Sequence, residues 1–343
     1  MELQKFARQL AATHKAGRLV PLGRQRRLLH ASGYPLAIVN QCPYRFPSAR
    51  KFLKLHYPPS LLGIGKWAKA NLILVSEAEF RFAQFGILRA IADSRDLSEK
   101  LVFKGGNALD FVWLPNRSTR DLDFSCGDNF IAEESFTDHL GRSLAAAGRK
   151  LDIGYRLQKI ERRPALEDAT FPALKVHIGY ALPADRNNQL RLARGELSKA
   201  VIEMDLSLNE VICATVPCDF QSKNQLLVST VEDIVAEKLR SLLQQPIRNR
   251  YRRQDVLDIC SCLRKYPQLN RDMVREFLIR KSESREISVT DRAFHQEEVR
   301  SRANENYEGL RETTRSEWIP FDEAFEEVLK LVSQLELPIS QSA

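Results

Sequence analysis

Two aspartates, Asp121 and Asp123, stand two positions apart in the segment RSTRDLDF. Because Leu122 and Phe124 alternate with them, the segment predicts a half-buried strand on which both carboxylates project from one face. Such a pair can share a divalent cation, as at the floor of a phosphoryl-transfer site. The alternative interpretation is a solvated Asp-x-Asp pair near a loop end, since this short pattern is common.

A pair of glycines, Gly105 and Gly106, precedes these acids in the segment LVFKGGNALDFVW. The pattern predicts a strand, a tight turn and a helix. Backbone N–H groups at such a turn can hold phosphate oxygens, and glycine has no side chain to block their approach. A glycine pair by itself is usually only a turn, but its position ahead of the Asp-x-Asp strand favours nucleotide binding.

A third carboxylate is expected from another strand, because two-metal nucleotidyl transfer uses one to bind metal and to attract the proton of the attacking hydroxyl. Asp205 interrupts the otherwise apolar segment VIEMDLSL, where a lone buried charge would be costly unless it were paired or bound to metal. Glu203 lies two positions earlier and shares its face, so either acid could be the ligand. We favour Asp205.

Two predicted helices further along the chain carry additional charged candidates. Lys238 lies beside the apolar stripe of VEDIVAEKLRSLLQQ, where it either extends to water or binds a triphosphate and neutralises charge in the transition state. Asp255 and Asp258 are three apart in RRQDVLDI and therefore share a helix face. From the sequence alone, pairing with nearby arginines is favoured over catalysis for both.

The densest basic segment, RNRYRR, joins these two helices and surrounds Tyr251 with four arginines: Arg248, Arg250, Arg252 and Arg253. It is either a solvated face or an RNA-binding surface. Arg156, Lys159, Arg162 and Arg163 are candidates for an extension of that surface. Lys and Arg number 52 against 44 Asp and Glu, giving a net charge of +8, which favours nucleic acid as the partner.

The elements that must position these residues fall into three predicted segments. Residues 1–75 form a basic N-terminal extension of short helices and loops. Residues 76–228 mix a sheet with flanking helices, and a capping box of Ser76 and Glu79 is expected to start the first helix. Residues 229–343 are helical, so the fold class is α+β. Further strands are expected in LDIGYRLQKI, ALKVHIGYAL and AVIEMDLSL, with another short one in VICATV.

The composition and the residue spacings exclude several classes of protein. A chain of 343 residues with 43% apolar and 28% charged positions is neither disordered nor a disulfide scaffold. Because no apolar stretch approaches the roughly 20 residues needed to span a bilayer, and the N-terminus lacks a signal peptide, we expect a cytoplasmic protein with no membrane partner. The six cysteines form no C-x-x-C pairs, the histidines show no metal-ligand spacing, and no serine occupies a nucleophile elbow.

Taken in order, FKGGNAL, RSTRDLDF, the Asp205 strand, EDIVAEKL and RRQDVLDI resemble the AbiEii-type nucleotidyltransferase toxins of the DNA polymerase β-like nucleotidyltransferase superfamily. The resemblance covers about residues 77 to 265. It implies a polymerase β-like mixed sheet with flanking helices, followed by a helical C-terminal domain. It also implies nucleotide binding by the turn at Gly105, Gly106 and Asn107, metal binding by Asp121, Asp123 and Asp205, nucleotide contact by Lys238, and a catalytic role for Asp255, with Asp258 as the second acid of its motif. Two positions depart from the family pattern: Asn107 stands where Ser or Thr is frequent, and Glu203 stands where a basic residue is common.

The activity implied by this resemblance is transfer of a nucleotide from a nucleoside triphosphate to an RNA 3′ end, notably that of tRNA, with Mg²⁺ or Mn²⁺ as cofactor. Such proteins are typically toxins of two-gene toxin–antitoxin or phage-defence systems, so a cognate antitoxin is an expected partner. Transfer to a protein or a small molecule is one alternative. A catalytically silent nucleotide- or RNA-binding module is the other.

Overall fold

The structure is a computed structural model that describes residues 44–45, 56–117, 119–127, 130–165 and 169–338. Most of the predicted N-terminal extension, 1–75, lies outside the described residues. The part of it that is described contains a two-residue strand and one helix.

Eight strands in the described residues form one mixed sheet: β1 (Tyr44–Arg45), β2 (Leu101–Lys104), β3 (Leu122–Cys126), β4 (Gly154–Arg163), β5 (Ala173–Ala181), β6 (Val201–Ser207), β7 (Ala214–Cys218) and β8 (Leu226–Ser229). Their order across the sheet is β1-β7-β8-β2-β3-β6-β5-β4. The pairs β1–β7, β2–β8 and β3–β6 are parallel, and the other neighbours are antiparallel. The strands expected around Asp123, in the three longer segments and near VICATV are confirmed, whereas β8 had no sequence prediction.

The helices of the described chain are α1 (Ile64–Ala70), α2 (Val75–Asp93), α3 (Arg95–Ser98), α4 (Gly105–Ala108), α5 (Glu133–Leu151), α6 (Arg186–Ala193), α7 (Val231–Leu243), α8 (Gln245–Arg248), α9 (Arg253–Lys265), α10 (Arg271–Glu283), α11 (Glu297–Asn304) and α12 (Phe321–Gln334). A π-helical turn, Leu109–Trp113, follows α4, and 3₁₀ turns cover Arg292–His295 and Tyr307–Thr313. The helical nature of the C-terminal third is therefore confirmed.

The central sheet has one apolar and one polar face. Leu122, Phe124, Met204 and Leu206 are fully buried on the apolar face. Helices α2 and α5 cover this face, where the Tyr155 hydroxyl donates a hydrogen bond of 2.7 Å to the carbonyl oxygen of Ala83 in α2. Since side chains alternate along a strand, the acids that stand between these apolar residues project from the opposite face.

Two helix starts differ in how they are capped. Helix α2 begins at Val75, so Ser76 is already inside it, and the capping residue Leu74 provides no side-chain hydrogen bond. The predicted Ser76–Glu79 capping box is therefore wrong. Helix α7 follows β8 directly, and the Thr230 hydroxyl caps it by accepting a 3.2 Å hydrogen bond from the Asp233 N–H.

One continuous cluster of buried apolar side chains includes residues of the sheet and of the C-terminal helices, among them Phe103, Val228, Leu239 and Phe325. The predicted domain limits, 76–228 and 229–343, stay a prediction. In the part of the chain that the structure describes, no helix is long and apolar enough to cross a bilayer.

Candidate active site

The glycine turn lies against the Asp-x-Asp strand. Gly105 follows β2 with a φ of +73°, and a Cβ built on it would lie only 2.9 Å from the Asp123 Cγ. A Cβ on Gly106 would lie 2.8 Å from the Arg117 Nη2 atom. Position 105 therefore needs glycine, because of its positive φ and the nearby Asp123, whereas a side chain at Gly106 would require the Arg117 guanidinium to move.

The acids lie on two adjacent parallel strands. Asp123 of β3 is directly opposite Asp205 of β6 in the strand register, and Lys104 is its partner on the other side, in β2. Asp121 precedes β3 on the same face and is exposed, while Asp123 and Asp205 are half-buried. The structure thus brings Asp121, Asp123 and Asp205 to one polar face beside the glycine turn.

Crowding of negative charge changes the ionisation of these acids. Burial is the main factor that raises the pKa of Asp123, to about 6; Lys104 opposes this rise, while Asp205 and Asp121 add to it. The pKa of Asp121 is also raised, by partial desolvation of its carboxyl group and by the charges of Glu203 and Asp205. A cation bound between these carboxylates would offset the repulsion between their negative charges and would therefore lower the pKa of both Asp123 and Asp121.

Glu203 differs from Asp205 in its partners. The Lys175 Nζ atom lies 2.5 Å from a Glu203 carboxylate oxygen, and the hydrogen bond from Lys175 lowers the pKa of Glu203. The structure shows no ion pair within 4.0 Å for Asp205 among the described residues. This contrast supports Asp205, rather than Glu203, as the acid available to a ligand.

Aspartate oxygens are the ligands that Mg²⁺ prefers, so the donor chemistry and charge crowding of Asp121, Asp123 and Asp205 fit a hard divalent cation. Within the described ranges, no three His, Cys, Asp or Glu side chains lie close enough together to form a complete metal-binding group. The three carboxylates supply oxygen atoms of the kind that a hard cation binds, but their side chains do not surround a single point in this structure.

Lys238 is buried rather than extended to water, so the solvated alternative for it is wrong. Its Nζ atom lies 2.7 Å from Asp255 and 2.8 Å from Asp258. These contacts raise the pKa of Lys238, since the two carboxylates outweigh the opposing effect of burial. Lys238 is also close enough to lower the pKa of Asp123, although burial of Asp123 has the larger and opposite effect.

Arg117 links this ion cluster to the glycine turn, and sequence reasoning missed it. Its guanidinium donates to both carboxylate oxygens of Asp258, at 2.9 and 3.0 Å, and to the Thr119 hydroxyl at 3.1 Å. The predicted pairing of Asp258 with an arginine is thus confirmed, but the partner comes from the loop before β3. The position of Arg117 within the segment RSTRDLDF, next to the Asp-x-Asp pair, is the sequence feature that could have identified it as a site residue.

Asn107 is fully buried at the glycine turn. Its side-chain amide donates hydrogen bonds to the backbone carbonyls of Thr119, at 3.1 Å, and of Asp121, at 2.6 Å. These contacts fix the loop that carries the Asp-x-Asp pair. The role of Asn107 in nucleotide binding stays a prediction.

The segment RNRYRR is only partly exposed. Arg248, Arg250 and Tyr251 are exposed, whereas Arg252 and Arg253 are half-buried, and Arg253 donates to the carbonyl oxygen of Asn306 at 3.1 Å. The pKa of Arg248 is lowered by burial and by the like charges of Arg285, Arg250 and Arg240. Positive charge is therefore concentrated here without full compensation.

The second basic candidate group, on β4, divides between the two faces of the sheet. Lys159 and Arg163 lie on the same face as the acids, and both pair with Glu161. Arg162 lies on the other face and pairs with Glu133. Because Glu161 neutralises much of their charge, these residues add less to a basic surface than RNRYRR does.

A match to a protein-family model places most of the chain in one family. The family model described as nucleotidyl transferase AbiEii toxin, type IV toxin–antitoxin system, matches residues 86–330. No curated protein matches the chain.

Solved structures similar to this chain include two proteins from Helicobacter pylori and one from Mycobacterium tuberculosis. JHP933 from H. pylori is 15% identical, with a TM-score of 0.43 and coverage of 76% of this chain and 91% of that one. A putative nucleotidyltransferase from H. pylori has the same identity, TM-score and share of this chain, with 94% of its own length covered. MenT4, a nucleotidyltransferase toxin from M. tuberculosis, is 14% identical, with a TM-score of 0.42 and coverage of 79% and 98%. The family match extends over more than half of the chain and includes the glycine turn, the Asp-x-Asp strand and the Lys238 helix, so this chain belongs to the AbiEii nucleotidyltransferase toxin family.

Proposed function

We propose that this nucleotidyltransferase toxin transfers a nucleotide from a nucleoside triphosphate to the 3′-hydroxyl of an RNA, with a divalent metal ion held by Asp121, Asp123 and Asp205. The observation that carries the proposal is the register of β3 and β6. It sets Asp123 beside Asp205. On its other side, Asp123 lies directly next to Gly105. Carboxylates that can bind a divalent cation, placed beside a glycine turn that phosphate can approach, suit nucleotidyl transfer.

In the proposed reaction the RNA hydroxyl attacks the α-phosphate and pyrophosphate leaves. When bound, the metal ion supplies charge neutralisation and a lower pKa for the attacking hydroxyl. Asp205 attracts the proton of that hydroxyl. Unlike Glu203, which pairs with Lys175, it has no ion pair within the described residues. Gly105 leaves room for the Asp123 carboxylate beside the turn, and the ion cluster around Lys238 fixes the position of the loop before β3 through Arg117.

The RNA acceptor is supported by charge and exposure. The net charge of +8 favours a polyanion, and the exposed Arg248, Arg250 and Tyr251 offer guanidinium groups with an aromatic ring for stacking. We expect tRNA ends to be the first acceptors to test. The cytoplasm, which contains both tRNA and nucleoside triphosphates, is the proposed place of action, and membership of a type IV toxin–antitoxin family implies a cognate antitoxin.

The test is to incubate the purified protein with each labelled nucleoside triphosphate, total RNA and Mg²⁺, and to separate the products on a gel. Label is expected to appear in RNA of one size class, and to disappear when Mg²⁺ is chelated. Label in protein or in a small molecule instead would show that the acceptor is wrong. Binding of the triphosphate without any transfer would identify a catalytically silent module.

The Asp123→Asn variant makes this assay specific for the site. It is expected to lose at least about a thousandfold in transfer rate, because a metal ligand is removed. Its folded state is expected to be as stable as the parent or more so at pH 8 without metal. The reason is that Asp123 has a raised pKa in the folded state, so its ionised form destabilises folding above pH 6, by on the order of 1–3 kcal/mol.

This gain in the free energy of unfolding should shrink as the pH falls from 6 to about 4, where the parent Asp123 becomes protonated. Urea denaturation at pH 8 and at pH 4.5 measures it. Full activity of the folded variant would contradict the metal role of Asp123.

A further inference from the structure

We propose that Lys104 is a nucleotide-binding residue, whose ammonium group binds the phosphates of the triphosphate at the glycine turn. This inference rests on the proposed function. It assigns the phosphate-binding cation to the last residue of β2.

The first support is position. Lys104 immediately precedes Gly105 and is the register partner of Asp123 in the antiparallel pair β2–β3. Register partners share a face, so Lys104 lies on the polar face with the acids. Its Nζ atom lies 3.4 Å from the hydroxyl of Ser207, two residues beyond Asp205 in β6. Lys104 therefore lies at the start of the turn on the same face as the acids, and its ammonium group extends toward β6.

The second support is unused donor capacity. A lysine ammonium has three N–H donors, and the Lys104 side chain is only 17% exposed. Among the described residues its contacts are the long hydrogen bond to Ser207 and a Glu210 carboxylate oxygen at 4.0 Å. A mostly buried ammonium group with such weak partners can bind a phosphate by donating hydrogen bonds to it, without breaking a strong ion pair.

The third support is that two acids near Lys104, Glu210 and Glu237, have ion pairs with other cations. Glu210 forms a direct ion pair with Arg285, and the Arg285 guanidinium also stacks over the ring of Phe171, 3.5 Å from its centroid. Glu237 pairs with Arg240 at 2.6 Å. Lys104 is thus not needed to neutralise either acid, and its charge remains available to the polar face.

The comparison with Lys238 separates two roles. Lys238 is in contact with two buried carboxylates, at 2.7 and 2.8 Å, so moving it to a phosphate would leave Asp255 and Asp258 with one cation fewer. Lys104 has no comparable partner. Lys104 therefore binds phosphate directly, whereas Lys238 stabilises the neighbouring helices and loop.

The experiment measures binding separately from transfer. Dissociation constants for each nucleoside triphosphate and for inorganic tripolyphosphate are determined by calorimetry, with Mg²⁺ and with EDTA, for the parent and for Lys104→Met, Lys104→Arg and Lys66→Met. Lys66 in α1 is an exposed lysine and controls for loss of one charge. Melting temperatures are measured for all four proteins.

We expect Lys104→Met to weaken triphosphate and tripolyphosphate binding at least about tenfold, with KM raised more than kcat is lowered. Lys104→Arg should stay within about threefold of the parent, and Lys66→Met should bind as the parent does. Equal binding by Lys104→Met and the parent would overturn the assignment. If the parent bound the probes, Lys104→Met bound them more weakly, and the parent transferred nucleotide to no acceptor, only the proposed function would be overturned. If the parent bound none of the probes, both the function and the assignment of Lys104 would be overturned.

A measurement on the parent protein covers the case in which Lys104→Met does not fold. Lysines are acylated in the presence and absence of tripolyphosphate, and modification is quantified by mass spectrometry. Tripolyphosphate is expected to slow acylation of Lys104 at least about fivefold, without slowing that of Lys66. Acylation of Lys104 at an unchanged rate would overturn the assignment.

Discussion

Asp258 has more ionic contacts than its motif partner Asp255, although both lie on one face of α9. It accepts two hydrogen bonds from Arg117 and lies 2.8 Å from Lys238, whereas Asp255 contacts Lys238 alone among the ion pairs of the described residues. Burial by itself would raise the pKa of Asp258, but the two cations outweigh burial and lower it to about 2. Asp258 is therefore the residue that holds the cluster together.

Replacing Asp258 by Asn is expected to lower the free energy of unfolding by about 3–5 kcal/mol at pH 7, since two buried cations lose their shared counter-ion. Asp255→Asn is the matched control. It should cost about 1–2 kcal/mol, because Lys238 keeps Asp258. Urea denaturation of both variants and the parent measures the difference. Equal losses would contradict the central role of Asp258.

The lowered pKa of Asp258 determines how the stability difference between the parent and Asp258→Asn depends on pH. A carboxyl group with a folded-state pKa near 2, below its ordinary value of 3.8, stabilises the fold fully above pH 4. That contribution is lost as the pH falls through 2. The stability gap between the parent and Asp258→Asn should therefore be constant from pH 7 to pH 5 and become narrower below pH 4.

The junction of β2 with α4 depends on a glycine at position 105 for two separate reasons. Gly105 has a φ of +73°, which L-residues with side chains rarely adopt, and an added Cβ would lie 2.9 Å from the Asp123 Cγ. Gly105→Ala should therefore destabilise the fold by about 1–3 kcal/mol and lower transfer more than stability alone explains. Stability is measured by urea denaturation, and transfer by the labelled-nucleotide assay.

The control for this variant is Gly141→Ala within α5. No atom lies within 4 Å of a Cβ built on Gly141, and its backbone is helical. Alanine there should stabilise the fold by up to about 1 kcal/mol, because it is the better helix former. A Gly105→Ala variant as stable and active as the parent would show that the turn can relax away from Asp123.

The elements around the site could be predicted from sequence because their signals are local. The alternation in Leu122–Phe124, the glycines after a short apolar run and the stripe of α7 all reflect contacts within a few residues of each other. The first residue of a helix is less easily predicted. Ser76 and Glu79 have the spacing of a capping box, but the helix begins at Val75, so this pair does not determine where it starts. Strand β8 is only four residues long, which leaves little pattern to read.

The partners of the site residues were beyond a sequence prediction, because they are separated by long stretches of chain. The register of Asp123 against Asp205 depends on the parallel pairing of β3 with β6. Lys238 was expected either in water or at a triphosphate. Its burial follows from two carboxylates on α9, whose combined charge compensates for desolvation. Arg117 stood in a motif that had been singled out, but its partner Asp258 lies on a helix far along the chain.

At the scale of the whole molecule, the sheet separates packing from chemistry. Helices α2 and α5 cover the apolar face, and the acids occupy the other face. The C-terminal helices approach the polar face through Lys238 of α7 and through the residues that follow α10, where Arg285 binds Glu210. Arg248 lies near Arg285, whose ion-pair partner Glu210 lies 4.0 Å from Lys104, so a chain of charged residues leads from RNRYRR toward Lys104. An RNA bound along this line would have its backbone on the arginines and its end near Asp123.

This arrangement predicts a salt-dependent defect for the double variant Arg248→Gln/Arg250→Gln. Both side chains are exposed. Partial desolvation and the like charges of neighbouring arginines lower the pKa of Arg248. A phosphate near Arg248 would therefore be attracted by several positive charges. The variant should bind tRNA at least about tenfold more weakly at low salt, and the slope of log K against log salt should decrease by about 2, one for each lost phosphate contact. Binding is measured by fluorescence anisotropy over a salt series.

The control double variant is Arg142→Gln/Arg149→Gln, which removes the same charge from exposed positions on α5, over the opposite face of the sheet. If the RNA-binding surface lies at RNRYRR, the control should keep the parent's affinity and salt slope, because its arginines make no phosphate contacts. Identical losses in the two variants would instead mean that only the net charge of the protein attracts RNA. In that case the acceptor end would have no defined path to the acids, and a protein or small-molecule acceptor would fit the site better than RNA does.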